Sequence, residues 1–197
     1  MTRSAMANRD PTAEMTLGPF FPRRYVDDGA NDLTRVEGRA ARGEPIEIYG
    51  CVTQEDGTPM DNLVLEIWQA DASGIFQHPA DPRHADADPN FFGWGRAATD
   101  KNGEYRFRTV RPGAYAMPDG TQRAPHINLL IVFSGLMRQL QTVVFFEGEA
   151  SNDRDPVLAV VTPAALRERL VARRDGVARY RFDIRLRGDG ETPFFDD

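Results

Sequence analysis

The residues of this chain best suited to chemistry lie close together in the second half of the sequence. Arg123, His126 and Asn128 fall within one short stretch at the start of an apolar run. Side chains two positions apart in a strand point to the same face, so imidazoles at positions 126 and 128 could share a metal ion. The second position holds an amide instead, which is a poor ligand for a transition metal. Taken alone, the two residues are more typical of a satisfied hydrogen-bonding pair.

Other common catalytic patterns are missing from the sequence. It contains neither of the glycine-rich phosphate motifs, G-x-x-x-x-G-K-[ST] and G-x-G-x-x-G, and no serine in a G-x-S-x-G context. The single cysteine, Cys51, excludes an internal disulfide and a cysteine-rich zinc site, and its place within a predicted strand favours a core role. Three histidines leave little material for a metal site. If the chain works with a metal, we expect a partner to supply it.

Length and composition favour a single globular domain, with room for a long arm. The chain has 197 residues, of which 41% are hydrophobic and 27% charged, with a net charge of −6. The negative charge argues against nucleic acid or an anionic membrane as the main partner. Residues 1–15 contain no signal-peptide stretch, and the longest apolar run, 127–137, is too short to span a bilayer. We therefore expect a cytoplasmic protein.

Alternation of apolar and polar residues predicts an all-β fold. Short strands separated by glycine and proline turns are typical of an antiparallel sandwich. The predicted strands cover residues 46–52, 63–68, 105–109, 127–133, 141–147 and 179–187. One short helix is predicted from Pro163 to Arg174, with Thr162 as its N-cap and Gly176 as its stop signal.

Two long irregular stretches, 71–95 and 111–125, predict a functional mouth at one end of the sandwich. Residues 1–44 are polar and turn-rich and are interpreted as an N-terminal arm, followed by the sandwich domain over residues 45–197. The apolar island 17–21 within the arm could pack on its own domain or on a neighbouring chain, and the sequence favours neither.

Several separate motifs, in order along most of the chain, carry a family resemblance. They are TLGPF (16–20), LEIWQADA (65–72), FGWGR (92–96), VRPG (110–113), APHIN (124–128), YRFDIR (180–185) and GETPFF (190–195). With these motifs the sequence resembles the intradiol ring-cleavage dioxygenases. Within that family it is similar to the subunit that holds no iron in members built from two homologous chains. The resemblance implies a β-sandwich core with long loops over an active-site mouth.

Position by position, the resemblance implies a degraded metal site. Catalytic chains of the family hold a non-haem ferric ion with two tyrosines and two histidines. Tyr115 and His126 keep two of these positions, whereas Phe76 and Asn128 occupy the other two. The arginine that accompanies the bound catechol corresponds to Arg123. These five residues are therefore expected to form a vestigial pocket, with no metal bound by this chain and no catalytic residue in it alone.

The resemblance also implies a division of labour between subunits. A homologous β subunit would hold the Fe(III), and a small aromatic substrate would bind at the interface between the chains. Thr16, Gly18 and Pro19 would form part of the pocket wall. An arginine of the family's iron-free subunit corresponds to Ser134 here, and whether Arg138 replaces it stays open.

The expected function is that of the iron-free subunit of an intradiol dioxygenase, acting in aromatic catabolism by cleaving a catechol ring with O2. The alternative is a non-catalytic binding or structural β-sandwich that shares this ancestry. A third interpretation, a self-sufficient metal dioxygenase, would need a replacement ligand such as His78 or Asp71.

Overall fold

Short strands dominate the regular structure of the chain. The computed structural model describes residues 29–61, 63–133 and 139–195. The strands are β1 (Arg35–Val36), β2 (Arg39–Ala40), β3 (Pro45–Thr53), β4 (Val64–Trp68), β5 (Trp94–Ala98), β6 (Glu104–Val110), β7 (Tyr115–Ala116), β8 (Gln122–Arg123), β9 (Ile127–Val132), β10 (Leu140–Phe146), β11 (Val171–Arg174), β12 (Arg179–Arg181) and β13 (Ile184–Arg185). The predictions for Thr16, Gly18, Pro19, Ser134 and Arg138 concern positions outside the described residues.

One curled sheet organises the molecule. Its strand order is β13-β3-β12-β11-β10-β9-β4-β5, with β6 paired to β3. The predicted all-β fold with long loops and one short helix is confirmed, although the sheet is mixed rather than purely antiparallel. Strand β3 pairs in parallel with β12 and β13, and β10 pairs in parallel with β11.

A single hydrophobic cluster fills the space enclosed by the curled sheet. Alternate residues of β3 and β6 point inward, as their burial patterns show. They meet inward residues of β4 and β9 in the same cluster, which gives the two layers of a sandwich. A smaller cluster packs behind β10 and contains Ala124, Phe145 and Leu158. The stretch leading into β9 therefore rests on a packed base.

The helix predicted over residues 163–174 is wrong in type and in where it ends. A 3-10 helix covers Ala164–Leu170, and the chain then enters β11, which pairs in parallel with β10. The α-helix, α1, covers Pro156–Val160, where Asp155 caps the N-terminus by accepting a hydrogen bond from the Val157 amide at 2.9 Å. Sheet pairing at Val171 and Ala172 outweighs the helical propensity of the sequence.

The described part of the arm packs against the sheet. Arg108 exchanges two backbone hydrogen bonds of 2.8 Å with Asn31 and Leu33 along the edge of β6. The Leu33 side chain belongs to the main core and is 6% exposed. The boundary proposed at residues 44 and 45 stays a prediction.

Among the described residues, no helix has the length and apolar character needed to cross a bilayer.

Candidate functional site

The structure brings Phe76, Tyr115 and His126 together at one end of the sandwich. The ring centroids of Phe76 and Tyr115 lie 5.3 Å apart, nearly perpendicular, and those of Tyr115 and His126 lie 5.6 Å apart. Trp68, at the end of β4, stacks on Phe76 at 5.9 Å. Trp68 is also the register partner of Asn128 in β9. Tyr115 and three more of the five residues predicted for the vestigial pocket, Phe76, His126 and Asn128, thus lie together around Trp68.

Two glycines allow the loops carrying Phe76 and Tyr115 to meet. Gly74 has φ +74°, and a β-carbon there would lie 2.1 Å from the carbonyl oxygen of Ala114. A β-carbon on Gly113 would lie 2.5 Å from the Gly74 nitrogen. Only glycine combines this backbone conformation with so close an approach. The contact places Phe76 beside Tyr115.

Two aspartates order the first long loop by accepting hydrogen bonds from backbone amides. Asp71 is buried, and its carboxylate accepts hydrogen bonds from the amides of Ser73 (2.8 Å), Ile75 (3.0 Å) and Asp88 (2.9 Å). Asp81 accepts from the Phe76 amide at 3.1 Å and forms an ion pair with Arg83. Burial opposes ionisation of Asp81, but hydrogen bonds from Arg83 and Phe76 outweigh it and lower its pKa.

His126 is buried and neutral. Its Nδ1 lies 2.7 Å from the carbonyl oxygen of Ala124, and since a carbonyl can only accept, Nδ1 carries the proton and Nε2 carries the lone pair. Burial lowers its pKa from 6.5 to about 4, with a further contribution from the Arg123 guanidinium. The imidazole is thus held in a single tautomer.

Tyr115 is a phenol rather than a phenolate at neutral pH. Burial raises its pKa above the ordinary value of 10.0, and the nearby Arg123 opposes this shift only in part. Its hydroxyl forms no hydrogen bond within the described part of the chain.

Arg123 is tied to a buried carboxylate. It pairs with Tyr115 across the β7–β8 hairpin, and its Nε donates to Oδ2 of Asp155 at 2.9 Å. The Asp155 side chain is fully buried and also accepts from the amides of Ala124 and Val157. The Nη2 atom of Arg123 is buried without a hydrogen-bond partner among the described residues. Asp155 therefore fixes both the arginine and the backbone that leads into His126.

The residues at the four family ligand positions do not fit a ferric ion. Phe76 has no donor atom, and the amide of Asn128 donates to the Trp68 carbonyl oxygen at 3.3 Å. One neutral phenol and one imidazole remain, too few for a site that needs four protein ligands. His126 and Asn128 each bond to a backbone carbonyl and not to each other, so the hydrogen-bonded pair predicted from their spacing is wrong.

Neither proposed replacement ligand completes the set. The carboxylate of Asp71 is occupied by three backbone amides, and His78 is exposed with its Nδ1 accepting from the Ala80 amide at 3.1 Å. No cluster of three or more His, Cys, Asp or Glu suited to a metal occurs in the described ranges. The described residues therefore offer no ligand set for the self-sufficient interpretation.

Sequence reasoning missed Trp68 and Asp155, which position the pocket. The dipeptide Asp155-Pro156 carries the same N-cap and first-turn proline signature that was assigned to Thr162 and Pro163, so Asp155 could have been found. Trp68 is marked in the sequence only as part of the LEIWQADA motif and by its place at the end of a predicted strand.

Comparison with protein families matches residues 17–188 to the dioxygenase family. The chain belongs to the intradiol dioxygenases. It is 36% identical over 197 residues to the protocatechuate 3,4-dioxygenase alpha chain of Pseudomonas putida, covering 94% of this chain and 96% of that one. It is 38% identical over 174 residues to the protocatechuate 3,4-dioxygenase beta chain of Burkholderia cepacia, covering 83% and 74%.

Solved structures of this family share the fold. The dioxygenase domain of a dioxygenase and carbohydrate-binding protein fusion from Streptomyces sp. SirexAA-E superposes with a TM-score of 0.59 at 26% identity, covering 90% of this chain and 98% of that domain. The predicted family and fold are confirmed together.

Proposed function

We propose that this intradiol dioxygenase chain is the iron-free α subunit of a protocatechuate 3,4-dioxygenase. The complex inserts both atoms of O2 into 3,4-dihydroxybenzoate and breaks the bond between the two hydroxylated carbons, which gives 3-carboxy-cis,cis-muconate. This chain shapes the pocket, and a homologous β subunit holds the Fe(III).

The proposal rests mainly on the identity of Asn128 and on the hydrogen bond that its side chain makes. Where a catalytic chain of the family has a second histidine, this chain has an amide that donates to the Trp68 carbonyl oxygen. Together with Phe76, this removes two of four ligands, while Tyr115, His126 and Arg123 stay. A member of a catalytic family that lacks a working metal site is expected to act in a complex whose second chain carries out the reaction.

The match in length supports the assignment to the α type. The chain covers 96% of an alpha-chain relative but 74% of a beta-chain relative. Its similarity to both types supports a partner of the same fold. We place the complex in the cytoplasm, with neither nucleic acid nor membrane as a partner.

The arm is assigned to the wall of the partner's pocket. Gly18 allows close backbone approach, Pro19 stiffens the segment, and Thr16 offers a hydroxyl. The wall would order the aromatic substrate at the interface, where a small displacement costs a large factor in rate.

The arm can be tested in the reconstituted complex. Removal of residues 1–22 should lower kcat/KM for 3,4-dihydroxybenzoate by about tenfold or more, with the iron content of the complex unchanged. Removal of residues 1–10, which spares Thr16, Gly18 and Pro19, is the matched control and should leave the rate near that of the intact complex. Full turnover after removal of residues 1–22 would favour the alternative of a structural subunit.

A further inference from the structure

A large open cavity lies between the two loops that meet at the vestigial pocket. We call it the loop cavity. Its volume is about 810 Å³, within the size range of small-molecule sites. Its main lining residues are Trp68, Phe76, His78, Tyr115, Met117 and Pro118.

The walls of the loop cavity are ring surfaces in fixed orientations. Trp68 and Phe76 stack with an angle of 20° between their planes, whereas Tyr115 stands at 83° to Phe76 and His78 at 90° to Trp68. Such a set offers both faces and edges to an incoming ring, and aromatic pairs favour stacked or edge-to-face contacts. Met117 adds a flexible thioether that adapts to a ligand's shape.

The charged residues of the loop cavity are already paired. Arg83 forms an ion pair of 3.1 Å with Asp81 and donates to the carbonyl oxygen of Gly74 at 2.8 Å. Asp81 accepts from the Phe76 amide as well. Neither group can take up a ligand charge without giving up these bonds, so the site favours an uncharged molecule.

In the described part of the chain, the Tyr115 hydroxyl is a free polar group among the rings, as is the Nε2 of His78, which lies at the exposed side of the loop cavity. The Tyr115 hydroxyl forms no hydrogen bond to the part of the chain that the structure describes, and the ring beside it, Phe76, has no polar atom. A ligand with a single hydroxyl on an aromatic ring can therefore pair with Tyr115 while its ring contacts Phe76 and Trp68. The loss of the oxygen at position 76 is what makes this wall apolar.

We propose that the loop cavity binds an uncharged single-ring phenol, held by Trp68 and Phe76 through its ring and by Tyr115 through its hydroxyl. The binding needs neither iron nor the partner subunit, so it is independent of the function proposed above.

The test uses the full chain purified without its partner, which removes the partner's substrate pocket from the measurement. The sequence has two tryptophans. Trp94 lies outside the loop cavity and is 43% exposed, so Trp94→Phe leaves Trp68 as a fluorescent reporter within the wall. The probes are 4-methylphenol, 4-methylcyclohexanol and 4-methylbenzoate. The second keeps the hydroxyl but has no aromatic ring, and the third keeps the ring but carries a negative charge in place of the hydroxyl. Calorimetric titration of the unaltered chain with the same probes replaces fluorescence if Trp94→Phe fails to fold.

We expect saturable binding of 4-methylphenol at least about tenfold tighter than of the other two probes. Tyr115→Phe should weaken the binding of 4-methylphenol by about fivefold. It should leave the binding of toluene, a fourth probe that has no hydroxyl, unchanged, and loss of folding would not produce this split. Ala80→Phe, on the exposed wall, should block all probes. No saturable binding of 4-methylphenol, equal affinity for the three probes, or an unchanged affinity in Tyr115→Phe would overturn the proposal.

Discussion

Asn128 donates its side-chain amide to the carbonyl oxygen of Trp68, across the pair of strands that meet at these two residues. By this bond Asn128, which the resemblance predicts to stand at a metal-ligand position of the family, becomes part of the pocket wall. It also ties the backbone of Trp68, whose indole stacks on Phe76, to the strand that follows His126.

Restoring both lost ligands should restore metal binding to the isolated chain. The double variant Phe76→Tyr/Asn128→His recreates two tyrosines and two histidines around Tyr115 and His126, and we expect it to retain iron after dialysis. The lost hydrogen bond to Trp68 should cost about 1 kcal/mol of stability. Phe76→Tyr/Asn128→Gln is the matched control, and metal analysis is the measurement. Equal iron uptake by the two variants would show that these positions do not form a site.

The buried carboxylate of Asp155 should be a main source of local stability. Asp155→Ala leaves the Arg123 guanidinium buried without its partner and removes the cap of α1, so we expect the free energy of unfolding to fall by about 3–5 kcal/mol. Asp153 is exposed and close by in sequence, and Asp153→Ala should change stability by less than about 0.5 kcal/mol. Urea denaturation of both variants measures the difference. A loss below about 1 kcal/mol for Asp155→Ala would contradict the assigned role.

Stability should fall in mild acid because of His126. Its pKa is about 4 in the folded chain, against 6.5 as an ordinary value, because burial disfavours the charged ring. Between about pH 4 and pH 6.5, His126 is protonated in the unfolded chain and neutral in the folded chain. Lowering the pH therefore favours unfolding. From about pH 7 to about pH 5 the expected loss is about 2 kcal/mol.

The same comparison can be made specific to His126. The lowered pKa values of Asp32 and Asp81 act only in stronger acid, near and below their ordinary value of 3.8. In urea denaturation, His126→Gln should abolish the difference in the free energy of unfolding between about pH 7 and about pH 5. His84→Gln, at an exposed histidine, should keep it. An unchanged difference in His126→Gln would assign the effect to another group.

Alternation in the sequence was enough to place most of the sheet. Residues 179–187 were predicted as one strand, and the structure has β12 and β13 on the same register against β3. They are separated because the Asp183 side chain, rather than the backbone, accepts from the Cys51 amide at 3.0 Å. The inward face was still correct, since Tyr180, Phe182 and Ile184 are all buried.

What sequence reasoning could not supply were the contacts made by distant residues. The helix signal at Thr162 failed because β10 offers residues 171 and 172 a pairing edge that no local pattern reveals. The partners of Asn128 and Arg123 depend likewise on which backbone carbonyl or carboxylate the fold brings near. The sequence therefore predicts which kinds of side chain line the pocket, but not which hydrogen bonds those side chains make.

The proposed division of labour between the two subunits is tested by the iron content and turnover of the purified chain, alone and with its β-type partner. We expect the full chain alone to hold no stoichiometric iron and to leave 3,4-dihydroxybenzoate uncleaved. We expect the complex to contain iron and to produce 3-carboxy-cis,cis-muconate. Stoichiometric iron together with turnover in the chain alone would contradict this division of labour.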